Sequence, residues 1–118
     1  MPHVEVKYSD DLDIDVPRLF EDVERVINAH DASAGICKSR AYPCAQYKYP
    51  HLLIDIALLS KPHRGHAFTE ALSADIEATV KGLLRQSAYF SMNIQYSLTH
   101  YVTNTHIVEG QPLPEMND

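Results

Sequence analysis

Two cations stand two residues apart in the segment Cys37-Lys38-Ser39-Arg40. In an extended chain residues i and i+2 share a face, so Lys38 and Arg40 project together. Such a pair can clamp a substrate carboxylate, the arginine through two parallel hydrogen bonds. The same charges can stabilise an enolate as its proton leaves. The plainer alternative is a solvated pair of charges on an edge strand. A second basic group, Lys61, His63, Arg64 and His66, lies ahead of a helical segment. A helix N-terminus with nearby cations is an anion site in principle, although a loop of this composition is more often simply solvated. His63 and His66 lack a third ligand at zinc spacing, so no metal is expected. Cys37 and Cys44 also lack a zinc-gripping spacing and read as two reduced thiols in a cytoplasmic protein. Asp55, alone in an apolar run, reads as a hydrogen-bonded structural carboxylate or as a group at a subunit boundary.

The elements that must position these residues follow from the periodicity. Pro2, Val4, Val6 and Tyr8 alternate with His3, Glu5 and Lys7, which predicts a half-buried first strand. Asp15 is placed to cap a helix over 16–29, with Pro17 in its first turn and acidic residues near its positive end. Ile36–Tyr42 is a short strand closed by Pro43, and 43–50 is a loop. Leu52–Leu59 is the strongest strand, apolar on both faces apart from Asp55. A second helix is expected over Ala67–Ser87, buried through Phe68, Leu72, Ile76, Val80, Leu83 and Leu84. Met92–Val102 is the last strand, with Leu98 and Thr99 continuing its alternation.

The chain has 118 residues, 45% of them hydrophobic, which suits a single folded domain. That domain is expected over 1–106, in halves of about 1–45 and 50–106, with 107–118 as a loosely docked or mobile tail. The formal charge of −6 argues against nucleic acid as a partner. No run approaches the roughly 20 apolar residues of a membrane helix, and the N-terminal residues do not resemble a signal peptide. The charge is uneven: residues 32–103 hold seven Lys plus Arg against four acids, while both flanks are acidic. A small anionic substrate would be drawn to that basic middle.

Strand–helix–strand occurs twice, and each unit requires a right-handed crossover to return parallel. The expected fold class is therefore α/β (α+β): two βαβ units forming one four-stranded sheet with two helices on one face. The uncovered face, apolar above all along 52–59, would be an association surface and predicts a homo-oligomer.

Met1-Pro2-His3 opening directly into a strand within this layout resembles the tautomerase superfamily. MPHVEVKYSDDL, PRLFEDV, CKSR and LLIDIAL resemble in particular its 5-carboxymethyl-2-hydroxymuconate isomerase family, over residues 1 to about 106. The resemblance implies a cofactor-free isomerase of aromatic-compound catabolism, assembled as a trimer with active sites at subunit boundaries. Its substrate would be a small oxo or enol (di)carboxylate such as 5-carboxymethyl-2-hydroxymuconate. It also implies that Pro2 acts as the general base once Met1 is removed, and that Arg40 matches a family arginine. Lys38 stands where that family has a second arginine, a departure that weakens the case for a particular dicarboxylate. The residue chemistry agrees: at a processed N-terminus Pro2 is a secondary amine, and α-amino groups titrate near neutral pH. The alternatives are a non-catalytic oligomeric binding protein on the same scaffold, or a hydratase or dehalogenase-type member of the superfamily.

Overall fold

The computed structural model describes residues 1–97 and 100–114. Its elements run β1 (His3–Ser9), α1 (Val16–His30), a 3-10 turn (Ala32–Ala34), β2 (Lys38–Cys44), β3 (His51–Leu59), α2 (His66–Lys81) and β4 (Tyr89–Ser97). The strands form one sheet in the order β2-β1-β3-β4. β1 pairs parallel with β2, β3 pairs parallel with β4, and the two halves join through the antiparallel β1–β3 pair. This is the expected architecture of two βαβ units in one four-stranded sheet.

Local chemistry explains the boundaries. Asp15 caps α1 by accepting a hydrogen bond from the Arg18 backbone N–H at 3.2 Å, with Pro17 inside the first turn. The first turn itself holds no acidic residue, because Glu21 and Asp22 fall one turn later; Asp15 alone meets the helix dipole. Pro43 lies inside β2 rather than closing it, tolerated because β2 is an edge strand with one neighbour. Gly82 stops α2 well short of Ser87 by turning its N–H back to Ala78 and Val80. Leu83 and Leu84 still pack on the core, from a turn instead of a helix. β4 starts at Tyr89, earlier than the alternation suggested, and residues 100–102 are not strand; the Leu98–Thr99 part of that expectation lies outside the described residues.

The core sits between one sheet face and both helices. Val4, Val6, Ile54 and Ile56 from the central strands meet Leu19, Val23 and Ile27 of α1 and Leu72, Ile76 and Val80 of α2, all essentially inaccessible. Truncating a side chain such as Ile54 to alanine would cost roughly 2–5 kcal/mol. The opposite face is uncovered and more polar than expected. β3 offers the aliphatic groups there, Leu53, Ala57 and Leu59, and Tyr42 of β2 and Tyr89 of β4 add exposed aromatic rings. β1 presents His3, Glu5 and Lys7, β2 presents Lys38, Arg40 and Tyr42, and β4 presents Ser91, Asn93 and Gln95. Strict alternation on three of the four strands makes the face mixed. Among the described residues no helix is long and apolar enough to cross a membrane.

Candidate active site

Because β1 is central, the start of the chain is held on both sides. The parallel register His3↔Lys38 sets the head of β2 against it, and the Lys38 backbone N–H donates to the Pro2 carbonyl at 2.9 Å. The antiparallel register His3↔Ala57 runs the end of β3 past it, which brings the following loop, with Lys61 and Arg64, to the same end of the sheet. Pro2 is buried on the helix side. The Lys38 ammonium contacts the Met1 thioether, a weak acceptor, and the Tyr101 hydroxyl donates to the Met1 carbonyl at 3.3 Å. Beside them opens a cavity of about 260 Å³, lined by Met1, Ile36 and Lys38 together with Asn104, Thr105, His106, Leu113 and Pro114. Partial burial, then the charges of Lys38, Lys61 and Arg64, lower the pKa of the terminal amino group from its ordinary value. Next to it, burial and Glu24 push the Cys37 thiol up to about 12, so this free cysteine is no ready thiolate.

Arg40 belongs to a different cavity, on the uncovered sheet face. That hollow, about 360 Å³, is lined by His3, Glu5, Arg40, Asp55, Gln95 and the β3 segment Ile56–Ala57. Arg40 Nε donates to Glu5 Oε1 at 3.0 Å, and Nη1 lies 3.3 Å from His3 Nδ1. The Tyr42 hydroxyl reaches the same Glu5 oxygen at 3.5 Å. The hydrogen bond to Glu5 raises the pKa of Arg40, while burial, Arg40 and Lys38 lower that of His3. Asp55 stands directly across from Glu5 in the β1–β3 register, which puts two carboxylates side by side. Lys38 and Arg40 thus share a sheet face, as their spacing predicts, but within one subunit they line separate cavities.

The Lys61–His66 segment is bolted to the end of α1. Arg64, buried, donates from Nε to Asp31 Oδ2 at 2.8 Å and from Nη1 to the Leu59 carbonyl at 2.7 Å. His63 Nε2 lies 2.7 Å from the same carboxylate, and the Ser33 backbone N–H and hydroxyl donate to its other oxygen. Burial alone would push the Asp31 carboxyl up, but the hydrogen bonds from Ser33, His63 and Arg64 together hold it well below the ordinary carboxylate range. Lys61 Nζ reaches the Ser33 hydroxyl at 3.1 Å. Among the described residues no group of three or more His, Cys, Asp or Glu is arranged to hold a metal ion.

Sequence reasoning missed Tyr101, which it placed in the last strand, Asn104 and His106, which it gave no role, and Leu113, which it set apart in the tail. The signal for them was Ile107, Val108 and Leu113, too apolar a set for a freely solvated tail. Glu5 was also missed as the partner of Arg40, since that pairing exists only across strands.

No protein-family model matches the chain, and no curated protein sequence matches it. Solved structures do. A 5-carboxymethyl-2-hydroxymuconate isomerase from Deinococcus radiodurans R1 superposes with a TM-score of 0.70 at 17% identity, covering 88% of this chain and 90% of that one. A macrophage migration inhibitory factor-like protein from Entamoeba histolytica gives 0.62 at 13% identity, over 89% of this chain and 96% of that one. A malonate semialdehyde decarboxylase inhibited by 3-bromopropiolate gives 0.54 at 10% identity, over 86% and 88%. Near-complete coverage in both directions at these TM-scores shows that this chain has a tautomerase-like fold.

Proposed function

We propose that the protein is a cofactor-free isomerase that moves a proton within a small oxo or enol carboxylate, with Pro2 as general base after Met1 is removed. The observation that carries this reading is the position of Pro2. It is buried at the head of a central strand, tied to Lys38 by a backbone hydrogen bond, and one residue behind the lining of a cavity. In the reaction the neutral Pro2 nitrogen takes the enol O–H proton. The oxygen electron pair becomes a carbonyl, the conjugated π electrons shift along the chain, and the prolinium returns the proton to carbon. Lys38 holds the substrate carboxylate, freed from the Met1 thioether when Met1 leaves. Arg40 polarises the developing enolate oxygen across a subunit boundary, in a trimer whose uncovered sheet faces meet. The burial and the cations that lower the pKa of the present terminal amine would act in the same direction on a prolyl amine there, favouring its neutral form.

The test begins with the intact mass of the native protein, expected to lack Met1. Ketonisation of 2-hydroxymuconate, followed by its absorbance, should then fall roughly 10²–10⁴-fold in Pro2→Ala with the circular dichroism unchanged. Full activity in that variant would overturn the mechanism. The Lys38 and Tyr101 contacts to Met1 favour a second reading, a binding protein that keeps Met1 and turns nothing over. Uniform retention of Met1 in the native source would select it.

A further inference from the structure

We infer that the ligand of the Met1–Lys38 cavity is a monocarboxylate with an apolar far end, and that the chain from Tyr101 to Pro114 is the strap that selects it. This rests on the proposed function for its chemistry but not for its binding geometry. Lys38 is the one lysine or arginine among the described residues lining the cavity. Within the same subunit the other nearby cations are committed elsewhere: Arg64 to Asp31 and the Leu59 carbonyl, Lys61 to Ser33, and Arg40 to Glu5 in its own hollow. One carboxylate therefore finds a charge partner and a second does not.

Much of the wall besides Lys38 is apolar. Ile36, Leu113 and Pro114 line it together with Asn104, Thr105 and His106, which offer hydrogen-bonding groups. A second carboxylate driven against that wall would lose its hydration without gaining a cation, whereas a methyl or short alkyl end is matched there. The strap holds its shape by its own means. While Met1 is present, the Tyr101 hydroxyl also ties its start to the Met1 carbonyl. The turn Val108–Gln111 folds it back, closed by a 2.9 Å backbone hydrogen bond with Gly110 at a φ of 80°. Gly110 takes the left-handed position that such a turn requires, so the return of Leu113 toward Met1 is built into the chain.

Two unreactive ligands of equal chain length separate the possibilities: hexa-2,4-dienoate, which ends in methyl, and hexa-2,4-dienedioate, which ends in a second carboxylate. Calorimetric titration of the full chain should show the monoacid binding roughly ten-fold or more tightly than the diacid. Leu113→Lys, which places a cation on the far wall, should reverse that preference. Equal or tighter diacid binding by the unaltered protein would overturn the inference, as would no binding of either ligand at millimolar concentration. An unchanged preference in Leu113→Lys would overturn the strap's part in it. Turnover is read separately with the 2-hydroxy derivatives of both acids. Selective monoacid binding without turnover would leave this inference standing and remove the catalytic reading.

Discussion

Lys38 and Arg40 stand two residues apart on β2, on the same side of the sheet, yet their surroundings are nearly opposite. Arg40 lies beside Glu5 on β1 and is drawn into a carboxylate–guanidinium pair, with His3 and Tyr42 completing the cluster. Lys38 lies beside His3 at the strand head, where its ammonium has only the Met1 thioether for company. One cation is occupied by a neighbour of its own chain. The other faces an aliphatic cavity without a carboxylate partner among the described residues. Spacing along the strand makes the two equivalent, and the residue across the ladder makes them different. Within one subunit, the cation left open to a ligand is the one with no acid beside it.

The largest effect should come from the frame that holds the Lys38 end together. Asp31→Asn removes the negative charge shared by Arg64 and His63, and breaking a buried pair of this kind costs about 3–5 kcal/mol in chemical denaturation. The pH dependence has a definite sign. The folded Asp31 carboxyl titrates below its unfolded value near 3.9, so its contribution is complete above that value and is lost as the pH falls through the folded one. The wild type should therefore lose stability on acidification more steeply than Asp31→Asn. Equal acid limbs would show that the loop beside Met1 is held by other contacts.

Next in size is the contrast between the cations themselves. Lys38→Met should weaken hexa-2,4-dienoate binding by roughly 10–100-fold, the worth of a charge-assisted hydrogen bond, while Lys38→Arg recovers part of it. Arg40→Met should leave binding to the Met1 cavity nearly unchanged and act on kcat instead. If both substitutions weaken binding alike, the two cavities are one site in the assembled protein. Smaller still, Glu5→Gln removes the acid that occupies Arg40. Half-exposed ion pairs contribute little, so stability should change by under about 1 kcal/mol, while affinity of the sheet-face hollow for a small carboxylate should rise. The smallest effect falls on His3, whose pKa burial and the Arg40 charge hold down. In Arg40→Met an NMR titration should find it moved back up toward its ordinary value.

The fold was legible because its signals are local. Alternation marked β1 and β4, an apolar run marked β3, the Asp15–Pro17 start marked α1, and two strand–helix–strand runs dictated the sheet. What stayed hidden was set by contacts between distant residues. Nothing near Arg40 in sequence announces Glu5, which reaches it through the parallel β1–β2 register. Nothing near Met1 announces Lys61 and Arg64, which the antiparallel β1–β3 register delivers. The apolar residues after Val102 carried a signal, but composition alone could not say which end of the molecule they would cover. The notion of an apolar uncovered face failed for a simpler reason: β3 was taken as typical of a sheet in which it is the exception.

A chain end is usually where a protein frays first. Here the first residues enter a strand hydrogen-bonded on both flanks, while β2 and β4 each have one flank open. Amide exchange should therefore be slowest at Val4, Val6, Ile54 and Ile56 and faster along the two edges. The terminal nitrogen is thus tethered to the part of the molecule that opens last, and whatever binds beside it meets a fixed target.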